Sequence, residues 1–274
     1  MKRNKNNWIV TILMIAGAVI TIIFPLYLTI LIAIKSPQDM VPSALSFPKS
    51  FRFENFTDAI EMTNFFSALK NSLVITISVL ILTILSNSLV SYAIARNRKK
   101  KFFNALYYYF LSAMFVPFPI IMLPLVKQIN MLNMDNIIGI ICLYVVFGLP
   151  FNIFLYAGYI KSIPVSLEEA ATIDGASTFQ VFWKIIFPLL RPINATVAIT
   201  TCLWTWNDFM LPLVILGKPE MATLPLVQYV FQSQFATNYN LAFASYLLAL
   251  LPIFIVYIFA QKWIRNGIVA GAVK

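Results

Sequence analysis

Six long apolar stretches, separated by short polar segments, limit the structures that this chain can form more than any other feature of its sequence. A transmembrane helix needs roughly 20 consecutive apolar residues. The stretches span residues 8–34, 71–95, 102–126, 136–160, 193–216 and 242–260. Hydrophobic residues make up 60% of the chain and charged residues only 11%, whereas a soluble domain carries about 25% charged residues. We therefore predict an all-α, polytopic membrane protein, with six transmembrane helices in a single domain over residues 1–274.

The first apolar stretch follows Lys2, Arg3 and Lys5 and so looks superficially like a secretory signal peptide. A signal peptide has an apolar region of about 7–15 residues, which ends at a cleavage site of small residues. The stretch over residues 8–34 is longer than that and contains no charge. The sequence therefore predicts a first transmembrane helix that is retained.

The basic residues indicate how these helices are oriented, because cytoplasmic segments of membrane proteins are enriched in Lys and Arg. With both termini in the cytoplasm, 14 of the 20 Lys and Arg residues fall on the cytoplasmic side and 6 fall outside. The strongest element is the run Arg-Asn-Arg-Lys-Lys-Lys at residues 96–101. We therefore predict that both termini, and the loop over residues 161–192, lie in the cytoplasm.

The sequence argues against several other functions. The net charge of +10 is spread in short clusters between apolar stretches, unlike the folded basic face of a nucleic-acid-binding protein. Histidine, a common general base and metal ligand, is absent, and Cys142 and Cys202 lie within apolar stretches. Neither a Gly-x-Ser-x-Gly motif nor a Walker A phosphate-binding loop occurs. We predict no nucleic-acid partner, no catalytic residue, no metal site and no ATP site in this chain.

The loop over residues 161–192 has the composition of two short helices. Ser166 with Glu169, and Ser177 with Gln180, have the spacing of capping boxes at helix N-termini. Gly175 lies between the two, where a glycine that ends a helix is expected. The sequence therefore predicts a helix, a turn at Gly175 and a second helix.

These two predicted helices present different faces. The first combines two small residues with three acidic ones, namely Ala170, Ala171, Glu168, Glu169 and Asp174. The second has an apolar stripe with helical spacing, formed by Phe179, Phe182, Trp183 and Ile186. A small, acid-edged helix is suited to insertion into a cleft of another protein. The residues alone are equally compatible with a glutamate that only caps its helix and a stripe that lies on the membrane surface.

Within this loop, Glu169-Ala170-Ala171, Gly175 and Ile185-Ile186-Phe187-Pro188 resemble the EAA motif of bacterial ATP-binding-cassette (ABC) importer permeases. That motif reads Glu-Ala-Ala, three residues, Gly, nine residues, Ile, one residue and Leu-Pro. All of these spacings are present, with Phe187 in the place of Leu. In this family the motif forms the coupling helix that docks into a separate ATPase subunit. The resemblance therefore implies a docking surface formed by Glu168, Glu169, Ala170, Ala171, Asp174 and Gly175.

Further segments resemble the maltose-type oligosaccharide permeases, specifically the smaller, six-helix subunit of the pair. These segments are Trp206-Asn207-Asp208-Phe209, Pro212-Leu213, Thr223-Leu224-Pro225-Leu226 and Gly267-Ile268-Val269-Ala270-Gly271-Ala272-Val273-Lys274. The resemblance implies a type I ABC importer permease fold in the bacterial plasma membrane and an oligosaccharide substrate. It also implies a second permease subunit, two cytoplasmic ATPase subunits that bind ATP and Mg, and an extracellular sugar-binding protein. No residue identifies the sugar, and we expect an α-galactoside or multiple-sugar type such as raffinose.

Polar groups within the apolar stretches are candidates for the substrate path, because such groups are costly in lipid. Asp208 is the one acidic residue within the six stretches. The candidate set is Trp204, Trp206, Asn207, Asp208, Asn152 and Tyr156. Aromatic rings can stack on sugar faces while amides and carboxylates bond to hydroxyls. The alternative is structural: Asp208 holds helices together or reaches water, and in maltose-type systems the larger partner subunit supplies most sugar contacts.

A stand-alone secondary transporter or channel is the alternative function. A proton-driven carrier is expected to place acidic or histidine relays within its spans, and Asp208 is the one group of this kind available. Six helices are also few for an independent carrier. The sequence therefore favours a permease subunit that is coupled to a separate ATPase.

Overall fold

The computed structural model of this protein describes residues 7–40, 43, 45–233 and 238–272. Fifteen α-helices, and no strand, are found within these residues. They are α1 (Asn7–Ala18), α2 (Phe24–Ala33), α3 (Pro37–Met40), α4 (Glu54–Met62), α5 (Phe65–Arg96), α6 (Lys101–Ala113), α7 (Phe118–Met131), α8 (Ile137–Ile160), α9 (Ser166–Ile173), α10 (Thr178–Val181), α11 (Phe187–Leu189), α12 (Arg191–Asn207), α13 (Met210–Ile215), α14 (Leu224–Ser233) and α15 (Tyr239–Ala272). Two π-helical turns, Val19–Ile23 and Phe182–Ile186, and a 3₁₀ turn at Pro219–Met221 lie between them. The last two residues of the C-terminal segment singled out above, Val273 and Lys274, lie outside the described residues.

Four to six segments of the described chain are able to cross a membrane. The four continuous segments are Val10–Ala33, Phe65–Arg96, Ile137–Ile160 and Tyr239–Ile258. Two bent pairs of helices are also long and apolar enough to cross a membrane when each pair is taken as one segment. They are α6 with α7, bent by 105°, and Thr178–Leu189 with α12, bent by 76°. In each of the four continuous segments, between 11% and 33% of an apolar 18-residue part is buried within the chain. Most of the surface of these segments is therefore free to face lipid. The structure confirms an all-α, polytopic fold.

The third apolar stretch, predicted as one helix over residues 102–126, is broken at residues 114–117. α6 ends at Ala113 and α7 begins at Phe118. Pro117 explains the break, because proline has no N–H to donate and its ring clashes with the carbonyl four residues earlier, which belongs to Ala113. Pro117 has an extended backbone and forms the N-cap of α7. The prediction of a continuous helix was wrong here.

The fifth apolar stretch, predicted as one helix over residues 193–216, is broken in the same way. α12 ends at Asn207 and α13 begins at Met210. Pro212 lies four residues after Asp208 and cannot bond to its carbonyl. The Asp208 carboxylate instead accepts a hydrogen bond from the Met210 N–H at 3.0 Å, which supplies a partner for the start of the new helix. The break therefore places Asp208 at a helix end and not in the middle of a span.

The tetrapeptide Ile-Ile-Phe-Pro occurs twice, at residues 22–25 and 185–188, and a π-helical turn precedes both Phe-Pro pairs. The N–H of Phe24 donates to the Val19 carbonyl, and the N–H of Phe187 donates to the Phe182 carbonyl. In each copy the proline cannot donate to the carbonyl four residues before it. A π-turn changes the bonding register at that point, so the same local sequence produces the same backbone irregularity twice.

The chain divides into two compact units. The terminal unit comprises Met1–Ala68 and Leu226–Phe254, and the central unit comprises Leu69–Pro225 and Ile255–Lys274.

In the terminal unit, two asparagines close the C-terminal end of α2. Asn55 of α4 donates to the carbonyls of Ala33 and Lys35, both at 2.8 Å. Asn240 of α15 donates to the carbonyls of Ile32 and Lys35, both at 2.9 Å. The last carbonyls of a helix have no partner within the helix, so these two amides supply the missing donors and fix the first apolar helix to two other elements.

The central unit contains two buried apolar clusters. One includes Tyr92 of α5 and Phe182, at the base of the 161–192 loop. The other includes Tyr144 of α8 and Leu211 of α13, close to the break at Asp208. These clusters support the two regions in which the sequence places functional residues.

Candidate functional site

The first helix of the 161–192 loop begins differently from the prediction. α9 has Val165 as its N-cap, without a side-chain cap bond, so the predicted capping box of Ser166 with Glu169 does not form. The N–H groups of Glu168 and Glu169 donate to the Val165 carbonyl at 2.9 and 3.1 Å. The helix therefore starts one residue early, and Ser166 lies inside it, where its side chain cannot act as the N-cap.

The end of α9 agrees with the prediction, because it has the turn at Gly175 that the sequence indicates. Gly175 has a φ of +85°, a conformation that favours glycine. The Ala176 N–H donates to the Ala171 carbonyl at 2.9 Å and the Gly175 N–H donates to the Thr172 carbonyl at 3.1 Å, which is the bonding pattern of a Schellman motif. A Cβ at Gly175 would have no neighbour within 4 Å, so the surface there is open.

The second helix starts with the capping box that the sequence predicts. The Gln180 N–H donates to Ser177 Oγ at 3.3 Å, and the Ser177 N–H donates to Gln180 Oε1 at 2.8 Å. α10, the π-turn and α11 then continue to Leu189. The chain bends by 76° before α12.

The apolar stripe of the second helix faces inward except at its first residue. Phe182 and Ile186 are fully buried and Trp183 is partly buried, whereas Phe179 is 63% exposed. The ring of Phe182 lies 5.2 Å from that of Tyr92 and 4.9 Å from that of Trp183, between centroids. The stripe therefore packs against α5, which argues against its lying along the membrane surface.

α9 has an inner and an outer face. Of its eight residues, Glu168 and Ala171 are shielded and the others are exposed. The Glu168 side chain is 13% exposed and Ala171 is 9% exposed. The exposed members of the predicted docking surface are Glu169, Ala170, Asp174 and Gly175.

The Glu168 carboxylate is held by two side chains of α5. Arg96 Nε donates to Oε1 at 2.6 Å, and the Tyr92 hydroxyl donates to Oε2 at 2.7 Å. Arg96 also donates through Nη2 to the Ile163 carbonyl at 3.0 Å, and its side chain is only 15% exposed. This is a largely shielded, charge-assisted contact, a class stronger than a neutral hydrogen bond.

Asp208 is held differently, at the break between α12 and α13. Its Oδ2 accepts a hydrogen bond from the Tyr144 hydroxyl at 2.9 Å, and its Oδ1 accepts one from the Met210 N–H at 3.0 Å. Tyr144 is 1% exposed and packs edge-on against Trp204, with 5.2 Å between centroids. Among the described residues, no basic side chain forms an ion pair with Asp208.

Two cavities adjoin one another beside Asp208. The larger, of 810 Å³, has a mainly apolar and aromatic wall that includes Tyr109, Phe110 and Trp204, with Asp208 in the same wall. The smaller, of 320 Å³, is lined by Asn152 together with Thr200 and Thr201. Both cavities share Phe147, Phe151 and Trp204.

Asn152 contributes a buried amide to the smaller cavity. Its side chain is 2% exposed, and its Nδ2 has no hydrogen-bond partner among the described residues. Gly148 leaves room beside it, since a Cβ at that position would come within 3.1 Å of Nδ2. A buried amide without a partner is costly, so this donor is available to a polar group that enters the cavity.

The other three candidates for the substrate path do not line either cavity. Trp206 is 6% exposed. Tyr156 is fully buried and donates its hydroxyl to Asn194 Oδ1 at 2.7 Å. Asn207 is exposed, and its amide donates to the Leu203 carbonyl of its own helix at 2.7 Å. The structure thus brings three of the six candidates to the cavities and leaves three away from them.

Sequence reasoning missed Tyr92, Arg96 and Tyr144. The sequence assigns Arg96 to the orientation signal, although Tyr92 and Arg96 are four residues apart and therefore share a helix face. That spacing could have indicated a common partner. The partner itself, Glu168, is 72 residues from Arg96, and no local pattern connects the two.

The helical fold, with several apolar spans, defines an integral membrane protein, and its 161–192 loop turns small and acidic residues outward. The family model described as "Binding-protein-dependent transport system inner membrane component" matches residues 87–269. The chain belongs to this family. It is therefore a multi-pass protein of the bacterial plasma membrane and a permease subunit of an ABC importer.

Two relatives and one solved structure show how far the likeness extends. The chain is 40% identical over 280 residues to "Multiple sugar-binding transport system permease protein MsmG" of Streptococcus mutans, covering 100% of this chain and 99% of that protein. It is 34% identical over 274 residues to "Melibiose/raffinose/stachyose import permease protein MelC" of Bacillus subtilis, covering 99% and 98%. A structure of a bacterial ABC transporter involved in the import of the acidic polysaccharide alginate matches with a TM-score of 0.77 and 21% identity, over 96% of this chain and 98% of that chain. The last comparison confirms the fold.

Proposed function

We propose that this chain is one of two permease subunits of an ATP-driven oligosaccharide importer and forms half of its translocation pathway. Relatives that are named for sugar import align with it over nearly their whole length. Their names support an α-galactoside or multiple-sugar substrate such as raffinose. An extracellular sugar-binding protein delivers the sugar, and a second, larger permease subunit completes the pathway.

The outward face of the 161–192 loop carries this proposal. Glu169, Ala170, Asp174 and Gly175 are exposed, while the apolar cluster beneath them is buried. Small residues above a buried apolar cluster let another backbone approach closely. The carboxylates of Glu169 and Asp174 favour a partner surface with basic residues. We infer that this face docks on an ATPase subunit, which binds ATP and Mg²⁺, because this chain has no phosphate-binding loop of its own.

Docking requires the 161–192 loop to lie in the cytoplasm, with both termini on the same side. The basic run at residues 96–101 supports this orientation. Arg96, the first residue of that run, contacts Glu168 in the loop, so the orientation signal and the loop belong to the same end of α5.

We infer that the sugar passes the two cavities beside Asp208. Trp204 is 42% exposed and lines both cavities, so its ring is available to a sugar face. Asn152 offers an unpartnered donor and Asp208 an acceptor, which together suit hydroxyl groups. The other three predicted path residues, Trp206, Tyr156 and Asn207, do not line these cavities.

The proposed cycle uses these parts in order. ATP binding closes two ATPase subunits, and the closure moves the docked loops as rigid bodies. The membrane helices then change from inward-open to outward-open and accept the sugar, and hydrolysis by the ATPase subunits resets them. The residues of this chain bind, position and transmit force, whereas the bond-breaking chemistry takes place on the partner.

Sugar-stimulated ATP hydrolysis tests the proposal. The complex is co-expressed with an ATPase, a second permease and a binding protein from the same genome, and is reconstituted and assayed with raffinose and related sugars. We expect Gly175→Asp to abolish the stimulation, since it adds a charge to the docking face. Gly175→Asn is the matched control, because Asn and Asp both tolerate the left-handed conformation but only Asp adds charge. Gly217→Asp, at another open glycine, controls for the charge itself.

The contrary results are equally specific. If no ATPase subunit co-purifies with the chain, or if Gly175→Asp behaves as wild type, the loop does not couple to hydrolysis. A stand-alone secondary transporter or channel then becomes the leading function.

A further inference from the structure

The two adjacent glutamates of α9 face different surroundings. Glu169 is exposed, while the Glu168 side chain is 13% exposed and bonded to Arg96 and Tyr92. Successive residues of an α-helix point about 100° apart, so one carboxylate can face outward while the next faces the protein. Glu168 therefore has no free oxygen turned toward a docking partner, since each of its two oxygens already accepts a bond from α5.

Glu168 is also the residue of α9 whose side chain is seen to bond to another helix. Ala171 is the other shielded residue of this helix, and its single methyl group offers little contact area. The remaining six residues of α9 are exposed. The bonds from Glu168 therefore connect α9 to the last turn of α5, a helix long and apolar enough to cross the membrane.

Tyr92 and Arg96 extend the connection beyond α9 itself. The ring of Tyr92 packs on Phe182, the first residue of the π-turn in the second helix of the loop. Arg96 also donates to the Ile163 carbonyl, in the segment between α8 and α9. One turn of α5 thus holds three successive parts of the loop: its entry, its first helix and its second helix.

We propose that Glu168, Arg96 and Tyr92 form a strut that makes α9 and the end of α5 move as one body, and that Glu168 positions the coupling helix without contacting the ATPase. This proposal rests on the proposed function. The shielded ion pair resists separation, because breaking it would leave a charge in a poorly solvated place. Displacement of the outer face by a docked partner is then transferred to α5 and does not merely bend the loop.

Sugar transported per ATP hydrolysed is the measurement that separates positioning from docking. The variants Glu168→Gln and Glu169→Gln make the same change at adjacent residues of the reconstituted complex. We expect Glu168→Gln to keep its ATPase subunits and basal hydrolysis but to lower sugar per ATP about tenfold, since the remaining arginine is left without its counter-charge. We expect Glu169→Gln to weaken co-purification of the ATPase and to leave the ratio unchanged in the complexes that do form.

Three further variants keep the test decisive if Glu168→Gln is poorly produced. Tyr92→Phe retains the ring that packs on Phe182 and removes one bond to Glu168, so we expect about a threefold lower ratio, as for loss of a modest hydrogen bond. Arg96→Glu places two carboxylates together and should uncouple the complex. Arg96→Glu combined with Glu168→Arg restores an ion pair and should recover most of the lost ratio.

Each contrary outcome overturns a distinct statement. Loss of the ATPase subunit in Glu168→Gln would make Glu168 a docking residue and refute the strut. A lower yield of folded complex with an unchanged ratio, or failure of the charge reversal to rescue, would make the contact merely structural. If wild type shows no sugar-stimulated hydrolysis, the proposed function fails and the strut fails with it. If wild type is stimulated and all variants match it, only the strut fails.

Discussion

Two carboxylates, Glu168 in the 161–192 loop and Asp208 at the break of the fifth apolar stretch, each accept a hydrogen bond from a buried tyrosine. Tyr92 lies 2.7 Å from Glu168, and Tyr144 lies 2.9 Å from Asp208. Their second partners differ. Glu168 has a guanidinium group at 2.6 Å, whereas Asp208 has a backbone N–H at 3.0 Å. One carboxylate therefore has an ion-pair partner, whereas the other has none among the described residues and lies beside a cavity.

The surroundings explain why the two regions suit different tasks. The loop has a continuous apolar cluster beneath it and an outer face of small and acidic residues, which suits a surface that must be moved without deforming. The Asp208 region has a broken helix and two cavities, which suits a place where a polar molecule passes. A carboxylate that transmits force benefits from a fixed counter-charge, whereas one that meets a ligand must keep acceptor capacity free.

The contrast between the faces of the loop should give the largest functional effect, namely loss of the ATPase from one variant and not from the other. Ala171→Glu inserts a carboxylate beneath α9, into the cluster with Tyr92 and Phe182, and should cost about 3 kcal/mol or more because the charge is buried without a partner. Ala170→Glu makes the same change on the exposed face and should leave stability unchanged while it removes binding of the ATPase. Thermal unfolding in detergent and co-purification measure the two effects. Equal loss of stability in both variants would contradict the division of α9 into two faces.

Two tryptophans provide the corresponding contrast near Asp208. Trp206→Ala removes a side chain that is 6% exposed and should lower the free energy of unfolding by about 3–5 kcal/mol. Trp204→Ala removes a ring that is 42% exposed, so its effect on stability should be smaller. Because Trp204 lines both cavities, its loss should instead raise the sugar concentration for half-maximal ATPase stimulation. An unchanged sugar response in Trp204→Ala would place the substrate path elsewhere.

Removing each tyrosine hydroxyl in turn compares how much stability each carboxylate contact contributes. Tyr144→Phe leaves Asp208 with the Met210 N–H and, among the described residues, no side-chain donor, so it should destabilise the protein by about 1–2 kcal/mol. Tyr92→Phe should cost less than this, about 0.5–1 kcal/mol, because Arg96 still compensates Glu168. Unfolding monitored by tryptophan fluorescence gives both values. The reverse order of stability would mean that the ion pair contributes little.

The smallest expected effect concerns the two serines that the sequence places in capping boxes. Ser177→Ala removes an observed cap and should lower stability by about 1 kcal/mol. Ser166→Ala removes a hydroxyl that does not cap α9 and should change stability by no more than a few tenths of a kcal/mol. Paired melting curves of the two variants are sufficient. A larger loss for Ser166→Ala would show that Ser166, and not Val165, forms the N-cap.

Features that depend on a few neighbouring residues could be predicted from the sequence. The Gly175 turn and the Ser177 cap are of this kind, since their partners lie within five residues. The cap at Ser166 failed because Val165 starts the helix one residue earlier. The breaks near Pro117 and Asp208 were missed, because the apolar stretches are continuous and hydropathy does not show the effect of a proline on the carbonyl four residues before it.

The candidate site was less predictable than the fold. The sequence selected Asn152, Trp204 and Asp208 as polar or aromatic groups in apolar stretches, and these do line the cavities. It selected Tyr156 and Trp206 by the same criterion, yet their side chains are buried in packing contacts. Residue type indicates that a group is unusual in lipid, but it does not indicate whether a neighbouring helix or an open space faces that group.

The sequence by itself determined that the chain has several apolar spans, the spacing of the EAA segment and the turn at Gly175. Hydropathy and the backbone freedom of glycine act within one element, so these features need no knowledge of distant residues. Tertiary structure alone decided that Glu168 turns inward while Glu169 stays exposed, and that Tyr144 holds Asp208. Those outcomes depend on side chains brought together from 64 to 76 positions apart, and contact between distant residues is set by how the helices pack.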